Sequence, residues 1–203
     1  MIEVEIKVKI LDPELIKKKF EENNGVYKLS LYHEDIYFNM PEGLRDFKKT
    51  DEALRLRKSI EFNKADRLKK KIYNHYITYK GKKIDNSTKT RSEIDITIED
   101  TDSMKKLLTE LGFKEIFTIQ KERELYEFKF ENTHIEVLVD YIPLLKQYFI
   151  EVECLVSSLD QIEKFREILF RFLKKFNIKK EESIRESYLE LILRNLKPNY
   201  GYN

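Results

Sequence analysis

Met1-Ile-Glu-Val-Glu-Ile-Lys-Val-Lys-Ile10 alternates without a break, with Ile2, Val4, Ile6, Val8 and Ile10 on one face and Glu3, Glu5, Lys7 and Lys9 on the other. Side chains of a β-strand repeat every two residues, so Glu3 and Glu5 project from the same side about 7 Å apart. One such strand is an ordinary half-solvated strand. The same alternation returns in later segments, among them Leu54-Arg-Leu-Arg57 and Ile150-Glu-Val-Glu153, and the recurrence carries the argument.

Working outward, the pattern predicts strands over 2–10, 29–39, 53–62, 72–80, 90–99, 114–120, 121–131, 133–142 and 147–156. Helices are expected at 13–23, 102–111, 158–176 and 181–196. Asp12-Pro13 opens the first of them, since a proline at an early helical position loses no hydrogen bond. Ser158 is a candidate cap for the third. No repeat, low-complexity tract or Pro/Gly linker divides the chain, so a single α+β domain over 1–203 is expected. Eight or so strands with one apolar and one charged face are suited to closing into an antiparallel β-barrel. The usual small barrel turns its apolar side inward. The alternative is a tunnel with a charged lumen, its outer face covered by the amphipathic helices.

Charged residues make up 37% of the 203 residues, against about 25% in an ordinary globular domain. Lys plus Arg (39) and Asp plus Glu (37) nearly cancel, so any function that uses charge depends on local arrangement rather than on a global field. No apolar run reaches the roughly 20 residues that span a bilayer, and no signal-like segment opens the chain. The lone Cys154 permits no internal disulfide and reads as a core residue. The expectation is a cytoplasmic protein without a membrane partner. Lys64–Lys71 carries five basic residues near Tyr73, Tyr76 and Tyr79. It reads as a solvated hairpin tip rather than a nucleic-acid surface.

The charged faces carry candidate chemistry. Arg55 and Arg57 share a face, as do Lys121 and Arg123; Lys80 ends one strand and Arg91 opens another. Guanidinium forks and lysine amines suit phosphate oxygens. Each pair alone reads as a surface salt bridge; converging in one cavity, the set would hold a chain of phosphates. Glu3/Glu5 and Glu151/Glu153 are carboxylate pairs from opposite ends of the chain, with Glu93 and Asp140 elsewhere. Such oxygens suit Mg²⁺ or Mn²⁺, and the spacing equally allows counter-charges for the arginines. His33, His75 and His134 have no zinc spacing, and there is neither a glycine-rich phosphate loop nor a G-x-S-x-G elbow.

Glu3-Val-Glu-Ile-Lys7 resembles the E-x-E-x-K signature of the CYTH superfamily, the triphosphate tunnel metalloenzymes. The class IV adenylyl cyclase branch is the nearest in pattern. Its cues follow in order as Asp35-Ile-Tyr-Phe38, Thr50-Asp-Glu-Ala-Leu-Arg-Leu-Arg57, Thr78-Tyr-Lys-Gly81, Lys89-Thr-Arg-Ser-Glu93, Lys121-Glu-Arg123, Asp140, Glu151-Val-Glu153 and Ser187-Tyr-Leu-Glu-Leu191. The resemblance implies an eight-stranded antiparallel tunnel holding a triphosphate and a divalent metal. It assigns metal binding to Glu3, Glu5, Glu151 and Glu153. It assigns phosphate binding to Lys7, Arg55, Arg57, Lys80, Arg91, Lys121 and Arg123. Asp140 and Glu93 would complete the metal shell or orient basic groups, and Glu3, Glu5 and Lys7 would carry catalysis.

The implied substrate is inorganic triphosphate or ATP. Hydrolysis is placed ahead of conversion of ATP to cyclic AMP and pyrophosphate, and ahead of a non-catalytic polyphosphate or RNA-end binder. A cyclase also needs an adenosine seat, for which the Asn39–Asp51 loop is the candidate. A leftover apolar barrel face suggests a homodimer. Leu144-Leu-Lys-Gln-Tyr148 lacks the glycines this family has before its last E-x-E, so a reshaped turn is expected there.

Overall fold

The computed structural model describes residues 2–64, 70–84, 88 and 90–196. The strands are β1 (Ile2–Ile10), β2 (Val26–Asn39), β3 (Ala53–Phe62), β4 (Ile72–Lys80), β5 (Arg91–Ile98), β6 (Lys114–Phe130), β7 (Thr133–Ile142) and β8 (Gln147–Val156). They close into an antiparallel barrel in the order β1-β5-β4-β3-β2-β6-β7-β8. The helices are α1 (Pro13–Glu22), α2 (Phe47–Thr50), α3 (Thr101–Glu110), α4 (Ile162–Lys174) and α5 (Tyr188–Leu196).

Register decides which face is inside. Residues opposite each other on neighbouring strands point the same way. Glu5 lies opposite Glu153 and Lys7 opposite Glu151. Asp35 faces Arg57, His33 faces Lys121 and Arg123 faces Asp140. Lys80 faces Glu93, and Glu3 faces Arg91 where the barrel closes. These charged residues therefore turn together into the lumen.

The apolar face is outside, under helices. Val4, Ile6, Val8, Val137, Ile150 and Val152 pack with Phe20 of α1 and Leu169, Phe172 and Leu173 of α4. Ile36, Phe38, Leu54 and Leu56 pack with Leu108 of α3 and Phe47 of α2. Cys154 is buried in the first of these clusters. The usual small-barrel arrangement is thus inverted, because the helices supply the apolar surface that the lumen withholds.

Four expectations are revised. The segments 114–120 and 121–131 form one strand, β6, with no turn at Gln120–Lys121; β2 runs beside both halves and holds them in a single ladder. Ser158 has extended backbone and no side-chain cap bond; a 3₁₀ turn at Leu159–Gln161 leads into α4 instead. The last helix begins at Tyr188 rather than 181. Ser183 bridges to Val8 and Ile184 N–H donates to Lys7 O at 2.8 Å. The start is set by Ser187 and Glu190: Ser187 Oγ accepts from Glu190 N–H at 3.2 Å, and Glu190 Oε2 accepts from Ser187 N–H at 2.6 Å, a reciprocal capping box. Finally, α5 does not cover the outer face. Its Tyr188, Leu191 and Ile192 cluster with Ile119, Ile142 and Phe149, which lie on the lumen side because Ile119 is opposite Asp35 and Phe149 opposite Asp140.

Pro143–Leu145 forms a 3₁₀ turn, and Lys146 takes the left-handed backbone (φ 47°) that glycine adopts without steric cost. The expected hairpin tip at Lys64–Lys71 lies largely outside the described residues. No helix among the described residues is long and apolar enough to cross a membrane.

Candidate active site

A cavity of about 670 Å³ occupies the lumen and is lined by strand residues, by the Asn39–Asp51 loop and by α5. Of the residues singled out from sequence, Glu3, Glu5, Arg55, Arg57, Lys80, Arg91, Glu93, Lys121, Arg123, Glu151 and Glu153 line it. Lys7 and Asp140 are fully buried behind that wall.

On one side, carboxylate oxygens of Glu3, Glu5 and Glu153 all lie within 4.8 Å of one another. β1 supplies the first two through its two-residue repeat, and β8 brings the third opposite Glu5. Burial and the charges of Glu3, Glu5 and Glu151 push the Glu153 carboxyl well above its usual range, although Arg123 opposes this. Three carboxyls gathered this closely are a donor set suited to a hard divalent cation, whose charge would favour their ionised forms.

Glu151 and Asp140 are placed differently. Asp140 accepts two bonds from Arg123, from Nε and Nη2, both at 2.6 Å. Glu151 also bonds Arg123 Nη2. Burial disfavours the Arg123 charge, but Asp140 and Glu151 outweigh it and raise its pKa. Both carboxylates therefore fix a lumen arginine, and neither joins the Glu3/Glu5/Glu153 triad. Tyr188 Oη donates to Asp140 Oδ2 at 2.7 Å; burial and Asp140 hold its phenol well above the usual range.

The opposite wall is cationic. Burial alone would raise the Asp35 carboxyl, but Arg57 and Arg55 outweigh it and hold the group ionised. Arg57 grips Asp35 with Nε and Nη2 at 2.6 and 2.7 Å. Arg55 Nη1 lies 3.8 Å from the same carboxylate and its Nη2 donates to Thr78 at 3.0 Å. Lys121 Nζ is 4.0 Å from Asp35. Burial first, then the Arg123 and Arg57 charges, bring the Lys121 amine down to about 7. Lys80 pairs with Glu93. Arg91 is buried, and its Nη1 donates to Gly81 O at 3.2 Å.

Lys7, last of the E-x-E-x-K residues, donates to the Glu186 carbonyl at 2.8 Å, lies 3.7 Å from Glu151 and sits 3.7 Å over the Tyr188 ring. Its amine is turned toward the segment leading into α5 rather than into the cavity.

Sequence reading did not assign roles to Asp35, Tyr188, Asp51, Lys83 or Glu190. Lys83 Nζ bridges Asp51 at 2.7 Å and Glu190 at 3.1 Å, tying the α2 loop to α5. The period of two in His33, Asp35 and Tyr37 was a usable signal for Asp35. None marked the Lys83 bridge, whose members come from three separate segments. The Asn39–Asp51 loop does reach the site: Asn39, Asp46, Phe47, Lys48 and Asp51 all line the cavity. Asn39 Oδ1 accepts from Phe47 N–H at 2.9 Å, and Asp46 caps α2.

A family model described as CYTH domain matches residues 1–188. A Methanocaldococcus jannaschii protein provisionally named an adenylate cyclase is 40% identical over 191 residues, covering 94% of this chain and 98% of its own. A solved Pyrococcus horikoshii structure is 38% identical with a TM-score of 0.79, covering 95% of this chain and 99% of its own. A Hippeastrum protein, provisionally named an adenylyl cyclase and described as revealing a dominant triphosphatase activity, shares the fold at 16% identity. Its TM-score is 0.58, over 95% of this chain and 96% of its own.

Proposed function

The chain belongs to the CYTH domain family, and we propose that it is a divalent-metal-dependent triphosphatase acting on a triphosphate held in its charged tunnel. One observation carries the reading: a carboxylate triad and a wall of arginines and lysine line one cavity. Glu3, Glu5 and Glu153 would hold Mg²⁺ or Mn²⁺, which neutralises charge on the phosphate chain and activates it toward attack by water. Arg55, Arg57, Lys121 and Arg123 would bind and orient the phosphates and stabilise charge on the transferring phosphoryl group. Asp35 and Asp140 would keep Arg57 and Arg123 aimed.

Adenylyl cyclase activity is the second reading, favoured by one feature. The cavity falls in the roughly 300–1,000 Å³ range that encloses whole organic ligands, and Tyr37, Phe47, Ile116, Leu189 and Leu193 give it an apolar and aromatic side. That side suits an organic group attached to the triphosphate.

Product analysis separates the two. The purified protein is incubated with inorganic triphosphate and with ATP, each with Mg²⁺, Mn²⁺ or EDTA. Phosphate release from either, metal-dependent and without cyclic AMP, supports the triphosphatase. Cyclic AMP with equimolar pyrophosphate replaces it with the cyclase. Binding with no product from either substrate overturns both.

Two further results are expected. Arg57→Ala should lower kcat/KM at least about tenfold, the loss of one charge-assisted contact; an unchanged value would remove Arg57 from the phosphate site. Lys121 supplies a pH signature. Its amine, brought down to about 7, must be charged to hold phosphate, so binding above that pH takes up a proton. Affinity for inorganic triphosphate should fall as pH rises above about 7. Calorimetry at pH 8 in buffers of different ionisation enthalpy should register the uptake, and Lys121→Met should abolish it. Equal uptake in that variant would assign the proton to another group.

A further inference from the structure

Ser187-Tyr-Leu-Glu-Leu191 supplies none of the proposed metal or phosphate ligands, yet it reaches the cavity wall. Two features fix where it enters. Ile184 N–H donates to Lys7 O at 2.8 Å, beside the bridge between Ser183 and Val8. The reciprocal Ser187 and Glu190 bonds then start α5 at Tyr188. The backbone is thus set before the Tyr188 side chain makes any contact of its own. Tyr188 is buried and lines the cavity.

Its ring and its hydroxyl engage different cations. The ring makes a T-shaped contact with Phe149, centroids 5.3 Å apart. Lys7 Nζ lies 3.7 Å from its centroid and Lys121 Nζ 5.4 Å, both within the roughly 6 Å at which an aromatic face attracts a cation. The hydroxyl donates to Asp140 Oδ2 at 2.7 Å, the oxygen that also accepts from Arg123 Nη2 at 2.6 Å. Burial and Asp140 keep the phenol protonated, so it stays a donor.

The carboxylates around Lys121 are committed elsewhere. Its amine is faced by Arg123 of its own strand, Arg57 of β3, Asp140 of β7 and Asp35 of β2, with His33 opposite it in register and Lys7 of β1 on the same tyrosine ring. Asp35 is 4.0 Å away and already gripped by Arg57 at 2.6 and 2.7 Å. Asp140 is taken by Arg123 and Tyr188. The Tyr188 ring is therefore a favourable contact for this amine that no arginine occupies.

We propose that Tyr188 is a positioning residue of the phosphate site: its ring holds the Lys121 amine, and its hydroxyl holds the Asp140 carboxylate on which Arg123 is aimed. The proposal rests on the reading of the tunnel as a triphosphate site. Its test reads binding of inorganic triphosphate in metal-free buffer, so it does not depend on turnover.

Calorimetry from about pH 6 to 9 compares the wild type with Tyr188→Phe, which keeps the ring, and Tyr188→Leu, which loses ring and hydroxyl. An aromatic face favours the charged amine, so without it Lys121 gives up its proton at lower pH. Affinity in Tyr188→Leu should therefore begin to fall at lower pH than in the wild type, with a loss of roughly two- to fivefold near neutrality from the ring contact. Tyr188→Phe should keep the wild-type pH profile and bind at least about threefold more weakly throughout, because only Asp140 and Arg123 are loosened. A purely structural role would lower affinity by one factor at every pH in Tyr188→Leu. Such a parallel profile overturns the proposal, as does wild-type affinity in Tyr188→Phe, which decides the matter by itself where Tyr188→Leu fails to fold. A wild type that does not bind triphosphate overturns the reading of the tunnel, and the proposal with it.

Discussion

Glu5→Gln is expected to lower metal-dependent turnover by more than about a hundredfold, beyond the 10–100-fold typical when an outer partner of a metal ligand is lost. Glu5 is nearly buried, stands opposite Glu153 and belongs to the triad whose oxygens gather within 4.8 Å. An amide keeps the shape and one oxygen but removes a charge that a divalent cation needs. The cationic wall is untouched, so inorganic triphosphate should still bind. The same substitution removes a repulsion on Glu153, so the metal-free variant should unfold no earlier than the wild type. Loss of activity without loss of stability distinguishes a metal role from a folding defect. Initial rates in Mg²⁺ and Mn²⁺, with thermal unfolding in EDTA, test both halves. Wild-type rates would remove Glu5 from the metal site.

Asp140→Ala is expected to be the most destabilising of the changes considered. Asp140 is fully buried and engages Arg123 and Tyr188. Removing one partner of a buried ion pair leaves the other charge poorly compensated, at a cost of about 3–5 kcal/mol. Glu151 still contacts Arg123, so the lower end of that range is the expected value. At about 2–4 °C per kcal/mol for a chain of this size, the melting temperature should fall by some 6–12 °C. Arg123 would also lose its fixed direction, so kcat should fall in whatever fraction stays folded. Denaturant unfolding gives the first quantity. A change under about 1 kcal/mol would mean that Glu151 alone compensates Arg123.

Much of the barrel was legible because its signal is local. Alternation with period two reports a half-buried strand, and β1, β3, β4, β7 and β8 fall where the pattern put them. The cation pairs and carboxylate pairs were legible for the same reason, since residues i and i+2 share a face. Errors came where a long-range contact overrode local preference. β6 crosses Gln120–Lys121 unbroken because β2 lies beside both halves. The stretch before Tyr188 reads as helix, yet Ser183 and Ile184 pair with β1 instead. The apolar stripe of α5 was visible in the sequence, but a stripe does not say which surface covers it. Here that surface is Ile119, Ile142 and Phe149 on the lumen side.

The sequence by itself determined that strands such as β1, β3 and β8 have one charged and one apolar face, and so that the barrel would keep most of its charge on one side and most of its hydrocarbon on the other. Tertiary structure decided which carboxylates come together and which pair with cations. Glu151 and Glu153 look alike in Ile150-Glu-Val-Glu153, and Lys7 belongs with Glu3 and Glu5 by spacing. Only the barrel's register gathers Glu153 with Glu3 and Glu5 while Glu151 turns to Arg123 and Lys7 turns to Glu186 and Tyr188. The physical reason is that a carboxylate's role depends on the charges within a few ångströms of it, and in a closed sheet those charges come from strands far apart in the chain.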